Sequence, residues 1–230
     1  MRKLVLGATV AVMALVVAIP AWAASKVSGP VKLTTKQELA STGLKFDIKI
    51  SNGTDGKPEL VKRFAIALPK GTRFDGRGAA RCDVTDAQVM EDIGKNCPAN
   101  TKVGSGKVTA TSDGSNTLTV DAVFYNLKPR SGPSSKAAIA IAFVADGTQL
   151  TGLDATGRGN KLISQVLTGE LPGGFRVNRF RGSISKRSKG QRNLITSPAK
   201  CPKSRRWMLT TTFNFPSGPS KSPSKSPCNR

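Results

Sequence analysis

The chain has 230 residues and a formal net charge of +22, from 36 lysines and arginines against 14 aspartates and glutamates. It contains no histidine, so Ser-His-Asp and Cys-His nucleophilic machineries and every histidine-containing metal site are excluded. A net charge this far from zero predicts a polyanionic neighbour, although it also keeps a protein soluble. We therefore expect a protein that is not an enzyme and that has no cofactor and no bound metal.

The first 23 residues have the order of a secretory signal peptide. Arg2 and Lys3 precede an apolar run over residues 4–19, and the small-residue site Ala21-Trp22-Ala23 follows. The run is shorter than the roughly 20 residues that a membrane-spanning helix needs. We expect cleavage after Ala23, and a mature chain of residues 24–230 that has no membrane span and is secreted, extracellular or held in the cell wall.

Alternating and apolar runs predict that residues 24–230 form one all-β domain. Residues 44–51 alternate between apolar and polar side chains, as in a strand with one face in water. Asp-Gly pairs, which hairpin turns favour, separate several runs. Further strands are expected at residues 64–68, 118–124, 137–144, 162–167 and 207–215. We predict an antiparallel β-sandwich or jelly-roll-like fold of eight to ten strands.

One short helix is predicted in the mature chain. Thr85 and Gln88 have the spacing of a capping box, which favours a helix that begins at Asp86. The apolar positions extend to Ile93, and Gly94 is a residue type that ends helices. We therefore expect a helix from Asp86 to Ile93 that stops at Gly94.

The four cysteines form an even set, which in an exported chain favours disulfides over metal ligation. Three pairings are possible. We favour Cys82 with Cys97 and Cys201 with Cys228, because each pair brackets a self-contained segment. The predicted helix then lies inside the first bracket.

The run Ala137–Val144 is apolar on both of its strand faces. Such a strand must be covered on both sides, so it is either a central strand or a contact surface for another chain. The second possibility would make the protein a structural subunit of a surface assembly, for which sheet edges are another possible contact. The sequence leaves the oligomeric state open.

Basic residues dominate the end of the chain. Glu170 is the last acidic residue, and the following 60 residues hold 14 lysines and arginines. Residues 175–181 carry charge on both strand faces, which favours an edge or bulged strand. We predict one basic patch from this strand, the turn after it and two arginines near residue 205. Its members are Arg176, Arg179, Arg181, Lys186, Arg187, Lys189, Arg192, Arg205 and Arg206.

The second cysteine bracket combines a strand with a Ser/Pro/Lys-rich tail. Every second residue from Trp207 to Phe215 falls on one face, which predicts a core-facing strand. Residues 216–230 read PSGPSKSPSKSPCNR and have too few apolar side chains to pack. We expect this stretch to be a tail that Cys228 ties back to the domain.

Several motifs, taken in order, resemble a family of secreted actinobacterial proteins of unknown function. They are AIALPKGTRF, CDVTDAQV, NCPANTKVGSGK and CPKSRRWMLTTTFNF, with SPC near the end, and they span most of residues 60–230. The resemblance implies a compact extracellular all-β domain, a turn at Gly104–Gly106 and the disulfide pairing favoured above. It brings no catalytic residues. In this chain the Ser-Pro-Lys stretch replaces the Asp-Gly hairpin turn expected after Phe215.

These observations predict a non-catalytic extracellular or cell-envelope protein whose basic C-terminal region associates with an anionic cell-wall polymer or acidic polysaccharide. Such binding consists of many weak phosphate or carboxylate contacts and falls steeply with salt. Nucleic acid is not the expected partner of an exported protein. A polysaccharide-acting enzyme is the remaining alternative, because two carboxylates suffice for glycoside hydrolysis, and Asp47 and Asp121 lie within predicted strands.

Overall fold

The computed structural model describes residues 24–51, 53, 56–112, 116–129, 135–164, 171, 174–185 and 193–229. The predicted signal peptide lies outside these residues. The described chain is mostly antiparallel β-structure with one α-helix, α1 (Asp86–Asn96), which confirms the predicted class. The strands are β1 (Val27–Ser28), β2 (Val31–Leu33), β3 (Ser41–Thr42), β4 (Leu44–Ile50), β5 (Arg63–Ala67), β6 (Arg73–Phe74), β7 (Lys102–Thr111), β8 (Thr117–Leu127), β9 (Ser135–Ala145), β10 (Thr148–Arg158), β11 (Lys161–Ser164), β12 (Arg176–Ile184), β13 (Ile195–Thr196), β14 (Arg206–Phe215) and β15 (Gly218–Pro227).

Ten of these strands have four or more residues, within the predicted range of eight to ten; the other five are short. The predicted strands at 64–68, 118–124, 137–144 and 207–215 are present as β5, β8, β9 and β14. The predicted strand at 162–167 corresponds to β11, although residues 165–167 lie outside the described residues. Two long strands, β7 and β10, were not among the predicted runs.

One large sheet organises the molecule. Its strands follow the order β1-β4-β12-β7-β8-β9-β10-β11-β5-β14-β15, and β2 also pairs with β4. A small sheet, β3-β13-β6, is separate from it. β3 leads directly into the start of β4, and β6 follows the end of β5. The small sheet therefore lies at one end of the sandwich, beside the start of β4 and the end of β5.

The Ser/Pro/Lys-rich stretch is a strand, so the prediction of a tail without packing is wrong. β15 pairs with β14 from Gly218 to Pro227 along its whole length. Its serines alternate with lysines and prolines, and Ser222, Ser224 and Ser226 are buried while Lys221 and Lys225 are exposed. Burial at period two therefore comes from small hydroxylated side chains instead of apolar ones.

Serine hydroxyls join the two ends of the large sheet. The backbone N–H groups of Val27, Val31 and Leu33 donate to the Oγ atoms of Ser220, Ser224 and Ser226 at 2.9, 3.1 and 3.1 Å. Prolines in β15 lack the N–H that a backbone ladder would need on this side. We call these three contacts the closing seam. They satisfy edge amides that would otherwise be buried without a partner.

Strand β9 is central and covered on both faces, as one of the two predicted possibilities. Ile139, Ile141 and Phe143 lie in the main core. The alternate side chains Ala138, Ala140 and Ala142 pack instead under Val89 and Ile93 of α1 in a second apolar cluster. The helix therefore covers the outer face of β9, and the small alanines allow its close approach.

The helix begins at the predicted capping box but does not stop at Gly94. The Thr85 hydroxyl accepts from the Gln88 N–H, and the Gln88 side chain accepts from the Thr85 N–H. The backbone leaves helical geometry at Asp92, where φ is −159°, and then continues to Asn96. The Gln149 side chain accepts from Ile93 N–H at 3.0 Å and donates to the Val89 carbonyl at 2.7 Å, which satisfies the groups that the kink exposes.

Both favoured disulfides are present. Cys82 and Cys97 bracket α1 with their Cα atoms 5.4 Å apart. Cys201 and Cys228 join the segment before β14 to the residue after β15, with Cα atoms 5.8 Å apart. The second disulfide therefore holds the C-terminal end of β15 to the segment before β14.

β12 is not an edge strand, which corrects one prediction, although its register does shift as a bulge between Val177 and Arg179. It lies between β4 and β7. The expected turn at Gly104–Gly106 is also wrong, because both glycines are inside β7. A Cβ on Gly106 would meet the Arg181 carbonyl oxygen at 2.3 Å, so glycine is needed for the close approach of β7 and β12.

Candidate functional site

Six cationic side chains share the outer surface of β2, β4, β12 and β7. Strand alternation turns most of their neighbours toward the core and directs these six outward. Cross-strand pairs then place them side by side: Lys32 faces Lys45, Lys49 faces Arg179, and Arg181 faces Lys107. We call this surface the outer basic face. Its members are Lys32, Lys45, Lys49, Lys107, Arg179 and Arg181.

Two acids lie on or beside this face, and each is paired. Asp47 accepts from Nε and Nη2 of Arg179 at 2.8 and 2.6 Å, a bidentate arrangement. Asp121 lies 3.1 Å from the Lys107 ammonium. The hydrogen bonds from Arg179 hold the pKa of Asp47 below its usual value, and Asp47 in turn raises the pKa of Arg179.

Four cations of the face remain available to a ligand. Among the described residues, Lys32, Lys45, Lys49 and Arg181 have no carboxylate oxygen within 4.0 Å. Lys32, Lys45, Lys49 and Arg181 are also exposed to solvent. An incoming anion can thus be bound by these side chains without breaking an existing ion pair.

Two shallow depressions flank Arg181. One, of about 340 Å³, is lined by Lys32, Lys45 and Ser183 among others. The second, of about 540 Å³, is lined by Ser105, Lys107 and Asp121 on the other side. The depressions form where small serine side chains and the glycines Gly106 and Gly182 lie between the longer charged side chains. Both depressions offer hydroxyl donors beside the cations.

The predicted basic patch is only partly brought together. Arg179 and Arg181 belong to the outer basic face. Arg176 lies at the other end of β12 and donates from Nη1 to the Pro58 carbonyl at 3.4 Å. Arg205 and Arg206 are exposed, Arg205 in the turn before β14 and Arg206 as its first residue. The predicted residues Lys186, Arg187, Lys189 and Arg192 lie outside the described residues.

Four members of the outer basic face were not part of the basic patch predicted from the sequence. Lys45 and Lys49 occupy the polar positions of the strand at residues 44–50, whose alternation already showed that they point to solvent. Lys32 and Lys107 become their neighbours only through the pairings β2–β4 and β12–β7. The local sequence therefore indicates that Lys45 and Lys49 are exposed, but it does not indicate that the four lysines form one cluster.

Asp47 and Asp121, the carboxylates of the enzyme alternative, are far apart. They occupy one row of the sheet, in which Asp47 faces Arg181, Arg181 faces Lys107, and Lys107 faces Asp121. Three strand spacings separate their Cα atoms by about 14 Å. Arg181 and Lys107 lie between them in this row, and each acid is paired with a different cation, Asp47 with Arg179 and Asp121 with Lys107. This arrangement argues against a glycosidase pair, whose two carboxyl groups lie about 5–9.5 Å apart and act on one bond.

Within the described ranges, no group of three or more potential metal-ligating side chains is arranged around a common point. None of the described helices is long and apolar enough to cross a membrane. No family model matches the chain, and no curated protein or solved structure shows significant similarity to it.

Proposed function

We propose that the protein is a secreted, non-catalytic protein of the extracellular space or cell envelope that associates with anionic polymers through the outer basic face. The observation that carries this proposal is the density of unpaired positive charge on one uncovered part of the sheet. The face holds six cations and two acids, and four of the cations form no ion pair within 4.0 Å among the described residues. Solubility alone does not require the cations to share one face.

The sheet gives these cations a regular spacing. Neighbouring strands lie about 4.8 Å apart, and alternate residues along one strand about 7 Å apart. Lys45 and Lys49 lie two such steps apart on β4, about 14 Å, with Asp47 between them. Lys32 and Arg181 lie on the two neighbouring strands, opposite Lys45 and Asp47. A flexible polymer with repeated phosphates or carboxylates can contact several of these side chains at once, and its affinity is the sum of weak, salt-sensitive contacts.

Two features support an extracellular place of work. The chain has two disulfides, and disulfide bonds persist in oxidising compartments such as the extracellular space. Ser25, two residues after the proposed cleavage site, is buried and exchanges two hydrogen bonds with Glu59: its N–H donates at 2.9 Å, and its Oγ accepts at 2.8 Å. Cleavage after Ala23 would leave this first anchored residue of the domain intact.

The competing functions have less support. Assembly through residues 137–144 would need an accessible apolar strand, but side chains 138–143 are buried between the main core and α1. A polysaccharide-acting enzyme would need a carboxylate pair, and the wide separation of Asp47 and Asp121 argues against one on this face.

Binding of fluorescent polyphosphate and polygalacturonate across a salt series tests the proposal. The test variant is Lys32→Gln/Lys45→Gln/Arg181→Gln. The matched control is Lys62→Gln/Arg63→Gln/Lys161→Gln, which removes the same charge from exposed positions at and near β5 and β11. We expect the test variant to lower the slope of log affinity against log salt by about three.

The control triple should lower that slope by less than one. Equal losses in the two variants would mean that net charge, and not the outer basic face, determines binding. Absence of binding to both polymers at low salt would contradict the proposal altogether.

A further inference from the structure

A second basic feature lies away from the outer basic face, in a cleft at the end of the sandwich. Its volume is about 560 Å³, within the range of small-molecule sites. One wall is the turn from Pro69 to Thr72 between β5 and β6, and the other is the turn around Gly159 between β10 and β11. We name it the end cleft.

The end cleft has an excess of positive charge. Lys70, Arg73 and Arg77 line it together with one acid, Asp75. Asp75 Oδ1 already accepts from the backbone N–H and from Nε of Arg77, at 3.0 and 3.1 Å. Among the described residues, Lys70 and Arg73 have no carboxylate within 4.0 Å. Two cations are thus left for an anion from outside.

The walls of the end cleft are fixed to each other. The Asn160 side-chain amide donates to the Leu68 carbonyl, and the Leu68 N–H donates to the Asn160 carbonyl at 2.9 Å. Leu68 is itself buried in the main core. Because this reciprocal pair connects one turn to the other, the cleft is formed before a ligand arrives, which reduces the ordering cost of binding.

Glycine leaves the backbone of one wall accessible. Gly159 has a φ of 58°, a region in which most side chains are strained. A Cβ at Gly159 would meet no atom within 4 Å, so this side of the cleft is open space, whereas a Cβ at Gly71 would contact Pro198 at 3.7 Å. A compact ligand can therefore approach the backbone at Gly159.

We infer that the end cleft binds a sugar-sized molecule that carries one phosphate or carboxylate group. Lys70 and Arg73 bind the oxyanion, which Arg can do in bidentate fashion. The two facing walls favour a free small molecule or a chain end over the middle of a long polymer. This inference is independent of the polymer-binding proposal, because the residues that line the end cleft belong to other elements than the outer basic face.

Calorimetric titration of the full mature protein with glucose 6-phosphate, glucuronate and uncharged glucose tests the inference. Lys70→Gln/Arg73→Gln removes the two cations of the end cleft, and Lys45→Gln/Arg181→Gln removes two from the outer basic face. We expect the first pair to raise the dissociation constant of the bound anion at least tenfold and the second pair to change it less than twofold. All four positions are exposed, so both variants should retain the wild-type melting temperature.

Binding of either anion with this pattern supports the inference, and binding of only one identifies the preferred oxyanion. Equal loss of affinity in the two variants would overturn it, since the anion would then respond to net charge. No saturable binding of either anion at millimolar concentration, or glucose binding as tightly as its phosphate, would also overturn it. Polymer binding by the Lys70/Arg73 variant, measured separately, distinguishes failure of this inference from failure of the polymer proposal.

Discussion

The large sheet has two outer surfaces of opposite character on one continuous backbone. On its covered half, β8 to β10, helix α1 packs on alanines, and Gly152 approaches the Val89 carbonyl so closely that a Cβ there would lie 2.3 Å from the oxygen. On its open half, β2, β4, β12 and β7, no element of the described chain covers the outer surface, and the corresponding positions hold the six cations of the outer basic face.

Both halves are joined by backbone ladders, and the ladder between β9 and β10 has two register shifts. The halves differ at the edge of the open half, where serine hydroxyls of the closing seam replace a ladder. The same strand geometry therefore supports either a dry interface, where alternate side chains are as small as alanine, or a charged, accessible face, where they are lysine and arginine.

The largest expected effect comes from moving a cation to the covered half. Ala140→Lys would place an ammonium at a fully buried position under α1, so we expect a loss of about 3–5 kcal/mol in the free energy of unfolding. Ser105→Lys, at an exposed position of the open half, should change stability by less than about 0.5 kcal/mol. Urea denaturation of the two variants measures the difference. Similar losses would show that the two halves do not differ as described.

Removal of the disulfide that brackets α1 should have the next largest effect. The double variant Cys82→Ala/Cys97→Ala opens a loop with a sequence separation of 15, for which a loss of about 3 kcal/mol is expected. Relative to the wild type, amide hydrogen exchange should accelerate more in α1 than in β4 and β12. Uniform acceleration across both halves would mean that the disulfide is not a local support of the covering helix.

Loss of a seam hydroxyl should have an intermediate effect on the open half. Ser224→Ala leaves the Val31 N–H without its partner, and Ser226→Ala does the same to Leu33, at a cost of about 1–3 kcal/mol each. Lys225→Gln, on the outward face of the same strand, is the control and should be close to neutral. Thermal unfolding gives the ranking. Stability unchanged in both serine variants would contradict the role of the closing seam.

The smallest stability effect is expected at Asp47, and it depends on pH. Because the folded-state pKa of Asp47 is lowered, its ionised form contributes stability above the unfolded value of about 3.9, and this contribution is lost as the pH falls through the folded pKa. Asp47→Asn should therefore be less stable than the wild type at pH 6, with the difference shrinking below about pH 4. Denaturation at several pH values checks this; a constant difference would contradict it.

Asp47→Asn also frees Arg179 for a ligand. The slope of log affinity for polyphosphate against log salt should steepen by up to about one, opposite in sign to the effect on stability. An unchanged slope would show that Arg179 does not take part in binding.

The fold could be predicted where the sequence has a strong apolar period. β4 and β14 alternate visibly, and β9 is apolar from Ala137 onward, so their existence and their burial followed from the pattern. β7, β10 and β15 are rich in glycine, serine and threonine, and their burial depends on neighbours that the local pattern does not reveal. The seam hydroxyls in particular are explained only by amides about 193 residues earlier in the chain.

The outer basic face, like the fold, could be predicted only where the local sequence pattern carries the information. The excess of cations and the participation of Arg179 and Arg181 could be predicted from the charge and from the charged strand at residues 175–181. Their association with Lys32, Lys45, Lys49 and Lys107 could not, because it requires the non-sequential order β2-β4-β12-β7. That order depends on pairings between distant segments, whose register is set by burial of one strand face.

Lysine footprinting is the most direct test of the outer basic face as the polymer-binding surface. The mature, oxidised protein is acetylated briefly with and without saturating polyphosphate at low salt, and modification is measured residue by residue by mass spectrometry. We expect at least threefold protection of Lys32, Lys45 and Lys49, with Lys62 and Lys161 unchanged. Uniform protection of all five lysines, or protection confined to Lys62 and Lys161, would contradict it.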